Sequence, residues 1–298
     1  MKVLVTGSSG LVGSALVESL EANDHRPVRL QRGSPGNGPA WDPDSGIVDL
    51  EGAEDIDVVV HLAGENISEG RWNASKKARI IDSRVKGTRL LAEFFAAADH
   101  KPSAIVSASA VGFYGDSGEM VVDESCEPGD GFLADVCKKW EEATAAAVQA
   151  GIRVVNIRLG VVLSAAGGAL KKMLLPFRLG VGGVIGSGNQ FMSWISIEDV
   201  VEAIQYAMVN DSLVGPVNLV SPNAVTNREF TRALGRALHR PTMFPMPAFA
   251  ARLVFGEMAD ELLLAGTRAV PRKLMECGYE FRHPELTEAL DDLLKKAD

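Results

Sequence analysis

The chain has 298 residues, a formal net charge of −9, and hydrophobic and charged contents of 46% and 23%, enough apolar material for a large core. The acidic balance, with no basic stripe, argues against a nucleic-acid surface, and no apolar run nears the ~20 residues that span a bilayer. Three cysteines (Cys126, Cys137, Cys277) and five histidines follow no metal or redox spacing, so no metal is expected and a reducing, cytoplasmic setting is.

Apolar runs of strand length fall at 2–5, 28–30, 58–62, 104–107 and 154–159, with helical periodicity between them over 11–22, 76–98 and 133–150. The first of these leaves no stretch that reads as a signal or transit peptide. This alternation predicts an α/β fold, a doubly wound parallel sheet. Pro35-Gly36-Asn37-Gly38-Pro39 reads as loop. Beyond Val162 the pattern changes, and the glycine-rich 180–188 stretch reads as a loop over a cleft. The tail from Pro247 reads as mostly helical, with Pro271 suited to a helix start and Gly278 to the position past its end. The expected organisation is a cofactor lobe over 1–162, to which a 197–209 helix and a 217–220 strand return. A smaller, discontinuous, mostly helical substrate lobe over 163–298 follows, its C-terminal part starting near 245.

Thr6-Gly7-Ser8-Ser9-Gly10-Leu11-Val12-Gly13 directly follows the first strand and opens the first helix. Glycines there let backbone approach a pyrophosphate held at the helix N-terminus, so Gly7, Gly10, Leu11, Val12 and Gly13 are candidate dinucleotide ligands. A tight turn with no ligand is the bland alternative. At the end of the second strand stand Gln31 and Arg32, with no acid to hold a ribose 2′-hydroxyl. An arginine there suits the 2′-phosphate of NADP(H), the alternative being a solvated surface charge. Leu62, Ala63 and Gly64 close the third strand with small residues that let a cofactor lie near, and Val161 completes the candidate set.

TGxxGxxG, DxVVHLAG (57–64) and SxSAVxFYGD (107–116) together resemble the extended short-chain dehydrogenase/reductase family, the NAD-dependent epimerase/dehydratase superfamily. Ala63-Gly64-Glu65-Asn66-Ile67, Arg71-Trp72, Ser83-Arg84, Ser193-Trp194-Ile195 and Phe255-Gly256-Glu257 narrow the resemblance to one sub-branch. Its members are sometimes labelled cell-division-inhibitor-like nucleotide-sugar epimerases and carry a C-terminal domain of unknown function. The resemblance runs essentially end to end. It implies a Rossmann lobe, a substrate lobe and NADP(H).

Departures from that pattern bear on chemistry. Anchored on Trp140-Glu141, the family's catalytic Tyr falls on Leu133 and its Lys on Cys137, so the proton-transfer dyad is absent. Met192 stands where an arginine grips a sugar-nucleotide diphosphate. Arg84 replaces an asparagine near the cofactor, and is read either as a pyrophosphate contact or as an exposed charge. Ser109 is the candidate for the reacting carbonyl, with Ser107 not excluded by the spacing. Tyr114 reads as a replacement acid or as a ring stacked on substrate, while Glu141 and Asp199 read as structural carboxylates. Three readings follow: an NADPH-dependent oxidoreductase on a small carbonyl or alcohol, a non-catalytic NADP(H) redox sensor, and a nucleotide-sugar epimerase or dehydratase. The expected partner is a small molecule, with no nucleic acid or membrane.

Overall fold

The computed structural model describes residues 1–33 and 38–296, so positions 35–37 of the expected loop lie outside the described residues. In chain order come β1 (Lys2–Thr6), α1 (Leu11–Ala22), β2 (Arg26–Arg32), β3 (Ala40–Asp42), β4 (Ile47–Asp49), β5 (Val58–His61), α2 (Ala74–Ala97) and β6 (Ala104–Ala110). A 3-10 turn over Val111–Tyr114 leads to β7 (Val121–Val122), α3 (Phe132–Glu142), α4 (Ala145–Gln149), β8 (Arg153–Leu159) and β9 (Val161–Leu163). Then follow α5 (Gly168–Arg178), β10 (Phe191–Met192), β11 (Trp194–Ser196), α6 (Ile197–Val209), β12 (Gly215–Leu219), β13 (Val225–Thr226) and α7 (Asn227–Ala237). The chain ends in α8 (Ala248–Phe255), a π-helical turn over Ala259–Leu264, β14 (Arg268–Ala269), α9 (Arg272–Glu276) and α10 (Leu286–Lys295).

Eight strands form one sheet in the order β12-β8-β6-β5-β1-β2-β3-β4. It is parallel except for the β3–β4 hairpin, so the doubly wound α/β architecture is present. The chain leaves β1 for β2 on one side and resumes at β5 on the other. The crevice beyond the carboxyl ends of β1 and β5 is therefore the switch point at which such sheets hold ligands.

Strand alternation sorts the two faces. Val3, Val5, Val58, Val60, Val106, Val155, Ile157 and Leu219 pack under α1 and α6 through Leu16, Leu20, Val200 and Ile204. Leu4, Val59, Ile105 and Val154 face the opposite way, against Leu91 and Phe95 of α2 and Ala147 of α4. A separate core gathers Leu170, Leu174 and Phe177 of α5, Phe230 and Leu234 of α7, and Leu290 of α10 around Trp194.

The expected elements differ from the observed ones in places. The strand expected at 104–107 extends to Ala110, since pairing with β8 as far as Ala110↔Leu159 overrides the low strand preference of Ala and Ser. The single helix expected over 133–150 divides at Ala143-Thr144, where the Thr144 hydroxyl donates back to the Glu141 carbonyl (2.7 Å). The β3–β4 hairpin, α5 and α7 were not among the expected elements.

A buried polar chain ties β1, β5, α2 and α3 together. Thr6 Oγ1 accepts the backbone N–H groups of Leu62 (3.1 Å) and Ala63 (3.2 Å), which leaves its own proton for His61 Nδ1 at 2.7 Å. His61 therefore carries its hydrogen on Nε2 and donates to Thr88 Oγ1 (3.0 Å), which also accepts Trp140 Nε1 (2.9 Å). Burial pushes the His61 imidazole down to about 4. The unfolded chain takes up this proton as pH falls through 6.5, whereas the folded protein does so only near 4. Stability from His61 is thus complete above pH 6.5 and is lost as pH falls from 6.5 toward 4, by up to about 3 kcal/mol. Urea unfolding at pH 7.5 and 4.5 should show that excess loss in the wild type and not in His61→Asn. Equal pH dependence in both would mean that His61 is not held neutral.

Candidate functional site

The glycine turn is shaped by close approach. Gly7 has φ +66°, and a Cβ on it would lie 2.8 Å from the Leu62 carbonyl carbon and 2.9 Å from Ala63 N. A Cβ on Gly13 would sit 2.1 Å from Gly7 O. Any larger residue at either position would part the turn from β5 or from α1. Gly10 caps α1 without a side-chain bond, and no acid stands in the first turn. The leading N–H groups of Leu11, Val12 and Gly13 are thereby offered at the positive end of a 12-residue helix. The Leu11 side chain lies against Gly167 and Gly168, where a Cβ would meet it at 3.0 Å, which sets the turn beside the start of α5.

Gln31 and Arg32 end β2, next to β1, and both are exposed. Arg32 donates to Asp44 Oδ2 at 2.6 Å across an open surface, an ion pair weak enough for a phosphate to replace. Leu62 and Ala63 are half-buried and Gly64 exposed beyond β5, and half-buried Val161 opens β9, its N–H on Ser193 O.

Arg84 reaches from α2 to this same edge. Its guanidinium lies against Gly64, 3.4 Å from where a Cβ would be, and 4.9 Å over the Trp140 ring. Nη1 donates to the carbonyls of Glu65 (3.1 Å) and Ile80 (3.2 Å). Among the described residues no carboxylate forms an ion pair with it, and burial pulls its pKa below the usual arginine value. A half-buried cation satisfied only by carbonyls, at the mouth of a crevice, fits an anionic ligand.

Ser109 and Tyr114 belong to a different arrangement. The Ser109 hydroxyl donates to Glu141 Oε1 (2.7 Å). Arg158 grips the same carboxylate through Nε and Nη2, both at 2.8 Å, and gives Nη1 to the Tyr114 oxygen at 2.9 Å. The Tyr114 proton goes to Asn218 Oδ1 (2.8 Å), and Asn218 Nδ2 to Val270 O (2.9 Å). Ser109 is 2% exposed and Tyr114 4%. Burial pushes the Tyr114 phenol up to about 12. In this structure each of these two hydroxyl protons is committed inside the protein, and each group lies beneath the surface. Ser107, the other serine considered, is fully buried with no partner for its hydroxyl.

Leu133 and Cys137 stand side by side on α3 against Gly112, whose Cβ would meet Leu133 Cβ at 3.3 Å and Cys137 Sγ at 3.9 Å. Burial pushes the Cys137 thiol up to about 11, which leaves it protonated and inert at neutral pH. The N-terminus of α3 is met by the Glu261 carboxylate, which accepts from Phe132 N (3.4 Å) and Leu133 N (3.3 Å). Met192 is half-buried in β10, paired with Val225.

Arg158, Asn218 and Glu261 escaped the reading of the sequence. Arg158 had a signal, a lone cation in the apolar run Val154-Val155-Asn156-Ile157-Arg158-Leu159 of a central strand. Nothing local marks Asn218 or Glu261, whose partners lie about a hundred residues away.

With this geometry in place, similarity to known proteins can be stated. Residues 3–219 match the model of the NAD dependent epimerase/dehydratase family. The chain belongs to that family. Residues 246–293 match a domain of unknown function, DUF1731. Epimerase family protein Mb2239 of Mycobacterium bovis is 48% identical over 290 residues, covering 97% of this chain and 96% of its own. Human epimerase family protein SDR39U1, in a crystal structure with NADPH, superimposes with a TM-score of 0.90 at 37% identity, covering 99% of each chain. A nucleoside-diphosphate sugar epimerase from Corynebacterium glutamicum gives 0.80 at 38% identity, over 98% of this chain and 58% of that one.

In this family member the Glu141–Arg158 pair is nearly dry, with side chains 12% and 3% exposed. Removing one partner strands the other charge. Glu141→Ala should cost about 3–5 kcal/mol in urea unfolding, whereas the apolar pair Glu141→Leu with Arg158→Met should cost less than that single change. A single variant within 1 kcal/mol of wild type would contradict this account of the site.

Proposed function

We propose that the chain is an NADP(H)-binding oxidoreductase whose hydride acceptor takes its proton from water rather than from a side chain. The cofactor reading draws on the family, on the NADPH in the human SDR39U1 crystal structure, and on this chain's own residues. Gln31 and Arg32 close β2 without an acid, which suits a 2′-phosphate. Leu11, Val12 and Gly13 offer N–H groups to a pyrophosphate, and Arg84 adds a cation with which no carboxylate among the described residues forms an ion pair. Nicotinamide, when bound, supplies or accepts a hydride. The chain's own part is to hold the dinucleotide along Gly7–Gly13, Leu62–Gly64 and Val161, and to present apolar Leu133 where the family's acid would stand.

The observation that carries the chemistry is the burial and internal commitment of Ser109 and Tyr114. Reduction of a ketone needs a proton delivered to the forming alkoxide, and no described side chain named here is placed to give it. A quinone, whose reduced form is a far weaker base than an alkoxide, makes no such demand. The same burial supports the second reading, a binding-only redox sensor. The sugar-nucleotide reading ranks third, since Met192 offers no charge to a diphosphate.

Fluorescence titration should give NADPH an affinity well above that of NADH. Arg32→Ala should erase most of this preference, by roughly ten- to a hundredfold, while Arg84→Ala weakens both cofactors alike. NADPH oxidation should proceed with quinones and fail with simple ketones. Ser109→Ala and Tyr114→Phe should stay within about threefold of wild type, because loss of a true acid costs ~10²–10⁴-fold. A hundredfold loss in either, with the fold intact, refutes the proposal. No turnover with any acceptor, despite tight NADPH binding, moves the sensor reading to first.

A further inference from the structure

A second cationic feature lies away from the crevice. The C-terminal half of α7 and the segment after it border a shallow, open groove of about 680 Å³ lined by Arg232, Gly235, Arg236, His239, Arg240, Pro241 and Thr242. No carboxylate lines it. Among the described residues no ion pair engages Arg232, Arg236 or Arg240. Glu229, on the same helix, caps Thr226 and lies near enough to feel the Arg232 charge, but it does not line the groove. In a chain of net charge −9, four basic side chains around a groove that no carboxylate lines are not explained by overall composition.

Helix polarity accounts for part of this, because a cation in the last turn of α7, such as Arg236, favours its C-terminus. It does not account for Arg232, which stands one turn earlier and repels Arg236 at a spacing of four residues. The chain is also shaped to hold the cluster. His239 takes φ +53°, the left-handed geometry in which glycine is the favoured residue, and so directs an imidazole rather than a bare backbone at this point. Gly235 lets the following segment fold back, since a Cβ there would lie 2.4 Å from Thr242 Cγ2 and 3.0 Å from Arg240 O. Arg240 is itself positioned, with Nε on Arg178 O (2.9 Å) and Nη1 on His239 O (3.2 Å). Met243 and Phe244, the next two residues after Thr242 in the chain, are 74% and 58% exposed.

We propose that this groove binds a phosphate ester that carries an apolar group, the phosphate held by Arg232, Arg236 and Arg240 and the apolar part lying on Met243 and Phe244. Guanidinium forks match phosphate oxygens in pairs, and adjacent exposed apolar side chains gain by covering a hydrocarbon. The site is independent of the dinucleotide crevice and of the reading proposed for it.

Calorimetric titration with hexyl phosphate and with inorganic phosphate, each with and without NADPH, tests this. Hexyl phosphate should bind at least threefold more tightly than inorganic phosphate and should be unaffected by NADPH. The double variant Arg232→Gln/Arg236→Gln should weaken it at least tenfold while leaving NADPH affinity and melting temperature unchanged. Met243→Ser/Phe244→Ser should abolish the preference for the alkyl chain. Flotation with phosphatidylcholine vesicles, with or without phosphatidic acid, identifies the source. Binding only to phosphatidic acid vesicles, lost in the arginine variant, assigns a lipid headgroup, and soluble binding assigns a free ester. Absence of binding in every arm, or binding that the arginine variant leaves intact, overturns the proposal.

Discussion

Two opposite charges taken out of water between β8 and α3 govern the centre of this molecule. Leaving either Arg158 or Glu141 alone there would cost several kcal/mol, so α3 can sit on the sheet only where the bidentate pair forms. That single seat fixes the helix that carries Leu133 and Cys137. It also draws in the Ser109 and Tyr114 hydroxyls, because a buried carboxylate and guanidinium have further hydrogen-bonding capacity that must be met. Both hydroxyls are thereby hydrogen-bonded to the buried pair, Ser109 to Glu141 and Tyr114 to Arg158.

The cofactor side of the crevice is built on another principle, the removal of side chains. Gly7, Gly13 and Gly64 each leave space that backbone or Arg84 then occupies, and Thr6 turns toward β5 to hold the Leu62-Ala63 amides in place. One rim is thus assembled from backbone donors and cations, and the other from a closed polar network beneath apolar side chains. An anion-facing rim and a buried hydrogen-bond network are two outcomes of one sheet edge.

Much of this edge was legible in the chain. The glycine spacing, the strand before it and the small residues after His61 are local signals, and local geometry made them true. Elsewhere local signals misled. Gly167-Gly168 at its start and Pro176 within it masked α5, although its apolar Leu170, Leu174 and Phe177 are helically spaced. Polar α7 announced itself only through Thr226-x-x-Glu229, a capping box whose two bonds both form. Ser109 looked like a reactive group because its strand position is right, and only the arrival of Glu141 and Arg158 in space reveals where its proton goes. Non-local partners decide protonation and access, and sequence spacing carries no trace of them.

The bond from Asn218 to the Val270 carbonyl, and the pairing of β14 with β7, have a consequence for the order in which the protein can be made. During synthesis the strands up to β8 leave the ribosome long before β12 and β14 do. Until residues 268–270 emerge, the Asn218 amide and the β7 edge face water without their final partners. The nascent sheet must therefore wait, half-finished and open at β8, through more than fifty residues of elongation until β12 is made. Such a delay favours early binding of a chaperone at that edge and makes the growing chain, rather than the finished one, the form most exposed to aggregation.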